Sequence, residues 1–344
     1  MISRRRLTQA AATVASGALA PVTTAHAAAP PAARPAADSR VGRGGLGPVR
    51  HVRTEVLDLA YHDLGPADGT PVVLSHGWPF DPVGSYAEVA PALARRGYRC
   101  LVPYLRGHGE TVFRRPGTFR SGQQAALGAD HLALLDALSV GRALFAGYDW
   151  GGRAANVAAA LWPERCLGLV SVNSYLIQNL AVAQEPLAPS VESGYWYFFY
   201  FLTERGRRGL AQDPRELARV VWRRNSPEWE FTEADLDRAA ALWTNPDYVD
   251  VVIHGYRHRL GAAAGDPRYA DLEARLLRQP PVPVPTVTLD GKADGVTPWT
   301  DGSSSAAHFT GPRRHHVVAD AGHNLPQQRP DAFVAAILEA DSLR

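Results

Sequence analysis

Short apolar runs alternate with segments of helical periodicity over much of the chain. Residues 51–64 have the pattern of two antiparallel strands, and between residues 71 and 176 further apolar strands alternate with helices. Strands that alternate with helices form a mostly parallel sheet covered on both faces. Two more apolar runs, at 286–290 and 315–318, complete a predicted sheet of eight strands.

The alternation stops between residues 177 and 279, where aromatic and helical sequence takes its place. The proline-rich segment 280–285 then leads the chain stiffly back to the sheet. An insertion between two strands of an open α/β sheet covers the strand ends, where ligands bind. We therefore predict a sheet core at 49–176 and 280–344, with an inserted helical lid at 177–279.

The first 48 residues have a different character. Residues 3–7 read Ser-Arg-Arg-Arg-Leu, and a weakly apolar run at 10–20 and the small-x-small sequence at 25–27 follow. This pattern predicts a twin-arginine signal peptide over 1–27, and hence export to the periplasm or the medium; a merely basic N-terminus is the alternative. The run is too short to span a bilayer, so no stable membrane insertion is expected. Residues 28–48, rich in Ala, Pro, Gly and Arg, predict a disordered linker.

The segment Gly147-Tyr148-Asp149-Trp150-Gly151 joins an apolar strand to a helical run. Its G-x-(nucleophile)-x-G spacing is typical of the sharp turn that lifts one side chain above the end of a sheet. A carboxylate at that position needs no base to attack a saturated carbon, and the resulting ester can be cleaved at its own carbonyl. The chemistry suits epoxides and alkyl halides. The alternative is an aspartate that only caps the helix.

Three further segments favour the catalytic interpretation. An apolar strand ends in His-Gly-Trp-Pro at 76–79, a loop of the kind that supplies an oxyanion-hole amide. The strand at 286–290 is followed by Asp294, and the strand at 315–318 by His323. Nucleophile, acid and histidine in this order accompany a nucleophile elbow in the α/β-hydrolase fold. Asp290 is a rival acid, but it ends its strand and is expected to be structural.

From about residue 52 to the C-terminus the chain resembles the α/β-hydrolases of the epoxide hydrolase and haloalkane dehalogenase group, and is closer to the epoxide hydrolases. The resemblance implies Asp149 as nucleophile, His323 as the base that activates water, and Asp294 as the acid that orients His323. The backbone N–H groups of Trp78 and Trp150 would form the oxyanion hole.

The same resemblance implies a role for two lid tyrosines. Epoxide hydrolases carry one tyrosine shortly before a Tyr-Phe pair and another directly before an arginine, positions that Tyr197 and Tyr256 occupy here. They would donate protons or hydrogen bonds to the substrate oxygen, with Tyr195 or Tyr200 as alternatives to Tyr197. Aromatic packing between lid and core is the simpler interpretation of any one of them.

Several departures and alternatives remain. Trp78 stands where dehalogenases often have a halide-binding Asn. This difference argues against a haloalkane or haloacid dehalogenase without excluding one. Tyr104 and Asn324 also depart from the common family pattern. A non-catalytic binding protein on the same scaffold is a third possibility, and a serine esterase is disfavoured because no serine occupies the turn.

Composition adds limits on partners. The 36 basic and 34 acidic residues give a net charge of +2, which argues against nucleic acid. His254 and His258 lack a third ligand at useful spacing, so no metal is expected, and no cofactor is expected either.

In the strand order of the fold, Cys100 and Cys166 lie three strand steps of about 4.8 Å apart, too far for a disulfide. The expected partner is a small apolar substrate, and the oligomeric state is left open.

Overall fold

One mixed sheet organises residues 45–344, which are the residues that the computed structural model describes. Its strands are β1 (Arg50–Arg53), β2 (Leu57–Leu64), β3 (Thr70–Ser75), β4 (Tyr98–Pro103), β5 (Val112–Phe113), β6 (Ala143–Gly147), β7 (Cys166–Val172), β8 (Thr286–Gly291) and β9 (Arg313–Val318). The order across the sheet is β1-β2-β4-β3-β6-β7-β8-β9, and β5 pairs with β2. β2 is antiparallel to its neighbours, whereas the pairs from β4 to β9 are parallel.

The central strands are rich in apolar residues because both faces of the sheet are covered. In β6, Leu144 and Ala146 belong to one buried cluster, while Ala143 and Phe145 belong to another on the opposite face. Alternation of side chains between the two faces of a strand produces this division. The helices that cover the sheet are α1 (Pro82–Tyr86), α2 (Val89–Ala94), α3 (Gln124–Ala137), α4 (Asp149–Leu161), α12 (Leu325–Gln328) and α13 (Pro330–Ser342).

A helical segment lies between β7 and β8. Its helices are α5 (Pro189–Glu192), α6 (Trp196–Phe201), α7 (Glu204–Gln212), α8 (Pro214–Asn225), α9 (Glu233–Trp243), α10 (Tyr248–Arg259) and α11 (Ala270–Leu277). Short 3-10 segments lie at Pro163–Arg165, Leu180–Val182, Ser193–Tyr195, Pro267–Tyr269 and Ser303–His308. Local sequence fixes the starts of several helices: Thr232 and Asp235 form a reciprocal capping box at α9, and Asp213 caps α8 just before Pro214.

The α/β-hydrolase fold predicted from the sequence is confirmed, with two corrections. The sheet has nine strands in the described residues rather than eight, because the short β5 pairs with β2. A strand of two residues carries too little periodicity to be recognised in the sequence. The predicted linker also extends too far: Leu46 is buried in the main core, and the Gly47 carbonyl accepts a hydrogen bond of 3.0 Å from His62 Nδ1.

The predictions for the cysteines and for membrane insertion concern described residues, whereas the prediction of a signal peptide does not. Cys100 in β4 and Cys166 in β7 are buried free thiols, and β3 and β6 separate their strands as expected. In residues 45–344, no helix has the length and apolar character needed to cross a membrane. The signal peptide at 1–27 and most of the linker at 28–48 lie outside the described residues and stay predictions.

Candidate active site

Asp149 stands at the turn from β6 into α4. Its φ of +51° is in the left-handed region, which costs a non-glycine residue about 1–3 kcal/mol. Close packing holds this conformation: a Cβ atom on Gly151 would lie 2.1 Å from the carbonyl oxygen of Ser75. Only glycine therefore allows α4 to approach β3 this closely, and the turn presents the Asp149 carboxylate at the carboxyl ends of the strands.

The structure brings together the three residues predicted as a triad. His323 Nε2 lies 3.4 Å from Asp149 Oδ2, and His323 Nδ1 lies 3.0 Å from Asp294 Oδ2. The side chains of His323 and Asp149 are 5% and 12% exposed, and that of Asp294 is fully buried. One imidazole thus bridges two carboxylates in a site from which bulk water is largely excluded.

The surroundings of Asp149 keep it ionised. The Trp78 amide donates a hydrogen bond of 2.7 Å to Asp149 Oδ1. Burial raises the pKa of Asp149, but His323 and the amides of Trp78 and Trp150 outweigh burial and lower the pKa below its usual value. The two amides predicted as an oxyanion hole therefore both act on this carboxylate.

His323 is held as an imidazolium in this arrangement. Burial lowers its pKa, but the charges and hydrogen bonds of Asp294 and Asp149 outweigh burial and raise the pKa of His323 to about 10. Part of this increase depends on Asp149 being negative. Loss of the Asp149 charge would therefore return the histidine towards its neutral form.

Asp294 is the acid that contacts His323, whereas its rival Asp290 faces elsewhere. Asp294 Oδ1 accepts the amides of Val296 at 2.7 Å and Thr297 at 2.9 Å, which fixes the carboxylate on its loop. Asp290 Oδ2 instead accepts the amide and hydroxyl of Thr300. Its contacts are those of a residue that shapes the loop after β8.

The two predicted tyrosines meet above Asp149. The rings of Tyr197 and Tyr256 are 5.6 Å apart between centroids, and both pack against Trp78. Both are almost completely buried, and burial together with the charge of Asp149 raises their pKa values. Each hydroxyl therefore keeps its proton at neutral pH and can donate it.

Tyr195 and Tyr200, the alternatives to Tyr197, have other neighbours. Tyr195 stacks on Phe198 at 4.7 Å between ring centroids. Tyr200 packs against α7, where a Cβ atom on Gly209 would lie 2.1 Å from its hydroxyl. The structure thus brings Tyr197, and neither alternative, against both Trp78 and Tyr256.

The described fold matches that of known enzymes. A family model for the alpha/beta hydrolase fold covers residues 70–330. The chain belongs to the α/β-hydrolase family. Epoxide hydrolase A of Mycobacterium tuberculosis (strain ATCC 25618 / H37Rv) is 27% identical over 315 residues, and the match covers 84% of this chain and 96% of the relative. Epoxide hydrolase B of the same strain is 25% identical over 337 residues, and that match covers 79% of this chain and 91% of the relative.

A solved structure gives a closer match to this hydrolase. The crystal structure of a candidate epoxide hydrolase from Klebsiella pneumoniae subsp. pneumoniae MGH 78578 superposes with a TM-score of 0.84 at 45% identity. The match covers 87% of this chain and 99% of the other. The protein is therefore a hydrolase similar to epoxide hydrolases.

Two asparagines of the hydrolase support the triad and were not foreseen from the sequence. Asn173 Nδ2, just after β7, donates a hydrogen bond of 3.0 Å to Asp294 Oδ2. The carbonyl of Asn225, at the end of α8, accepts the amides of Gly295 at 3.0 Å and His323 at 3.2 Å. A residue of the helical segment thus ties the acid loop to the histidine loop. No local motif marks either residue, because their role depends on contacts between distant segments.

Neighbouring Ser226 explains one departure from the family pattern. Its hydroxyl donates to Asn324 Oδ1 at 2.5 Å and accepts the Asn324 amide at 3.1 Å. Both residues are fully buried. Asn324, directly after His323, therefore anchors the histidine loop to α8 instead of supplying an aromatic surface.

The indole N–H groups near the site already have partners. Trp150 Nε1 donates to the Tyr256 hydroxyl at 3.2 Å, and Trp78 Nε1 donates to the Tyr248 hydroxyl at 2.7 Å. Among residues 45–344, no group of three or more His, Cys, Asp or Glu is arranged to hold a metal ion. The polar groups around Asp149 are thus hydrogen-bond donors and a charged imidazole.

Proposed function

We propose that the hydrolase opens epoxides to vicinal diols through a covalent ester on Asp149. The observation that carries the proposal is the pair of protonated hydroxyls, Tyr197 and Tyr256, buried together over an ionised Asp149. An opening epoxide develops negative charge on its oxygen, and proton donors held in a dry site stabilise that charge strongly. The similarity to epoxide hydrolases A and B supports the same reaction class.

The first step is attack on an epoxide carbon. Asp149 Oδ1 accepts the Trp78 amide at 2.7 Å, whereas Oδ2 has only the longer contact of 3.4 Å with His323 Nε2. We take Oδ2 as the attacking oxygen. A new C–O bond forms to Oδ2, the C–O bond of the ring breaks, and the released alkoxide takes a proton from Tyr197 or Tyr256. The indole N–H of Trp150 points at the Tyr256 oxygen and stabilises the tyrosinate that results.

The second step begins with a change in His323. Ester formation removes the negative charge of Asp149, and with it part of the cause of the raised pKa of His323. The imidazolium then returns a proton to the tyrosinate and becomes a neutral base. His323 next draws a proton from water, whose oxygen attacks the Asp149 carbonyl carbon while the Trp78 and Trp150 amides hold the oxyanion. Collapse breaks the bond between the carbonyl carbon and the ester oxygen, and that oxygen takes a proton from the imidazolium to release the diol. The new carboxylic acid then returns a proton to His323, which restores the Asp149 carboxylate and the imidazolium.

Halide release is the weaker alternative. A halide needs free N–H donors where it leaves, and the indole N–H groups of Trp150 and Trp78 each donate to a tyrosine hydroxyl. Those same tyrosines are suited to an alkoxide leaving group, which needs a proton. The arrangement therefore favours epoxides over haloalkanes or haloacids.

Trapping the ester tests the proposal. His323→Ala spares the first step and blocks the second, so after mixing with an epoxide that the wild type turns over, the peptide bearing Asp149 should gain the mass of that epoxide. Asp149→Asn should gain nothing, and His51→Ala, at an exposed histidine paired with Glu110, should turn over like the wild type. Turnover by the wild type without an adduct in His323→Ala would overturn the covalent mechanism.

A further inference from the structure

Arg153 is a buried cation that the mechanism above does not use. It lies one turn after Asp149 on α4 and is 6% exposed. Its Nη1 donates to the Leu176 carbonyl, its Nε has no hydrogen-bond partner, and its guanidinium lies 5.4 Å from the centroid of the Trp150 ring. Within residues 45–344, no carboxylate oxygen lies within 4.0 Å of it. A buried cation with an unsatisfied N–H and no anionic partner is costly, which points to a ligand that supplies the missing negative charge.

A small cavity lies beside this guanidinium. Its walls include Trp150, Arg153, Gly255 and Arg259, with Gln124 and Gln178 at one side. Arg259 ends α10, and its guanidinium lies 4.4 Å from the centroid of the Phe198 ring. Like Arg153, it has no carboxylate partner in the part of the chain that the structure describes. The cavity therefore carries two cationic groups on its walls.

The positive charges of the cavity walls are not balanced, because the nearby carboxylates have other partners. Burial and the charge of Arg259 lower the pKa of Arg153 to about 9, against the opposing effect of Asp149 and Tyr256. Glu273 is near enough to respond to Arg153, but it accepts the amide of Ala125 and the side chains of Gln123 and Gln124. Asp149 itself is engaged by His323 and the Trp78 amide.

We propose that this cavity binds a carboxylate of the substrate, so that the hydrolase prefers short epoxy acids over neutral epoxides. The inference rests on the proposed function and names its substrate class. A guanidinium presents paired N–H donors that match the geometry of a carboxylate. Residues four apart on a helix have Cβ atoms about 5–6 Å apart and share one face. Asp149 begins the helix in a left-handed conformation, so it does not share this face exactly, but its charge acts on Arg153, which lies four residues further on. A carboxylate held by Arg153 would therefore bring an epoxide carbon near Asp149 when only a few bonds separate the two groups.

The apolar substrate expected from the lid aromatics is compatible with this charged end. Trp78, Tyr197 and Tyr256 surround the reacting carbon, while Arg153 and Arg259 lie on the side of Trp150 that faces α3 and the end of α10. The carboxylate does not react, and the bonds made and broken are those of the proposed epoxide opening. Its role is to orient the ring relative to Asp149.

A matched pair of substrates tests the preference. Oxirane-2-carboxylate and oxirane-2-carboxamide have nearly the same shape and differ in charge. The wild type should show kcat/KM about 10- to 100-fold higher for the carboxylate, the range of one hydrogen-bonded charge. Arg153→Met should lose this preference, Arg153→Lys should keep part of it, and Arg259→Met should reduce it. Arg208→Met, at an exposed arginine of α7, is the control for charge and should behave like the wild type.

A binding measurement separates this inference from the proposed function. Propionate should raise the melting temperature of the wild type and of Asp149→Asn at constant ionic strength, but not that of Arg153→Met. Chloride at the same concentration should not replace propionate; an equal effect of chloride would mean a site for small anions in general and would overturn the carboxylate assignment. Equal turnover of both oxiranes without propionate binding would overturn the inference alone. Propionate binding without turnover of any epoxide would leave the site standing and reject the proposed reaction.

Discussion

Single side chains in the candidate site take their protonation states from their neighbours. Asp149 is kept ionised by two backbone amides and an imidazolium, whereas Tyr197 and Tyr256 are kept protonated by burial and by the charge of Asp149. A nucleophile and two proton donors thus coexist in one small volume. This division of states is what epoxide opening requires and what each single-residue change below disturbs.

Removal of either tyrosine hydroxyl should slow the first step. Tyr197→Phe and Tyr256→Phe should each reduce the rate of Asp149 alkylation by about 10- to 1000-fold, because one donor to the developing alkoxide is lost. The double variant should nearly abolish it. Rapid-mixing single-turnover measurements in the His323→Ala background isolate this step. Tyr200→Phe, which packs against α7, is the control, and an unaltered rate in Tyr256→Phe would reject its assignment.

His323 should make stability depend on pH in a defined direction. Its pKa is about 6.5 in the unfolded chain and is raised to about 10 in the fold. The stabilisation is therefore complete below about pH 6.5 and is lost as the pH rises towards 10. Urea unfolding across this range should show the free energy of unfolding falling more steeply in the wild type than in His323→Gln. Parallel curves for the two proteins would contradict the raised pKa.

Residues that belong to a recognisable motif could be predicted from the sequence, and residues that act outside any motif could not. Asp149 was recognisable because the glycines of its turn lie within a few positions of it. Asn173 and Asn225 act on loops more than 60 residues away in the chain, and neither belongs to a motif. The unpartnered charge of Arg153 became visible only with its surroundings.

Secondary-structure elements couple the helical segment to the catalytic loops. The end of α8 holds both loops: the Asn225 carbonyl accepts amides from the Asp294 and His323 loops, and Ser226 pairs twice with Asn324. The order of the long strands was evident from their apolar runs and the family resemblance. The short β5 and the joint between α8 and the loops were not, because neither produces a periodic pattern.

Loss of the Ser226 hydroxyl should loosen this joint. Ser226→Ala leaves the buried Asn324 amide and side chain without a partner, at a cost of about 1–3 kcal/mol in the free energy of unfolding. Ester hydrolysis should slow more than alkylation, since His323 acts in the second step. Thermal unfolding and the two single-turnover rates measure these effects. Ser193→Ala, at an exposed serine bonded to Ser190, is the control; identical behaviour of the two variants would show that the joint is unimportant.

At the scale of the whole molecule, the first residues that the structure describes bear on where the mature protein begins. Leu46 packs into the main core and Gly47 contacts His62, so the mature chain must include these residues. Cleavage after residue 27, as the small-x-small sequence indicates, would leave this segment intact. We propose export by the twin-arginine route, because three arginines at 4–6 precede the apolar run and this cleavage position is compatible with the core.

Export should depend on the arginines and remove the first 27 residues. A twin-arginine signal is an address read by a receptor, so replacing Arg4, Arg5 and Arg6 by lysine should keep the protein in the cytoplasm while preserving its positive charge. The control replaces Arg34 and Arg40 by lysine, outside the predicted signal, and should be exported normally. N-terminal sequencing of wild-type protein from outside the cytoplasm should start near Ala28. The retained lysine variant should have the same melting temperature as a chain starting at Ala28, since both contain the core of residues 45–344. Recovery of exported protein with Met1 intact would reject the signal peptide, and unimpaired export of the lysine variant would reject the twin-arginine route.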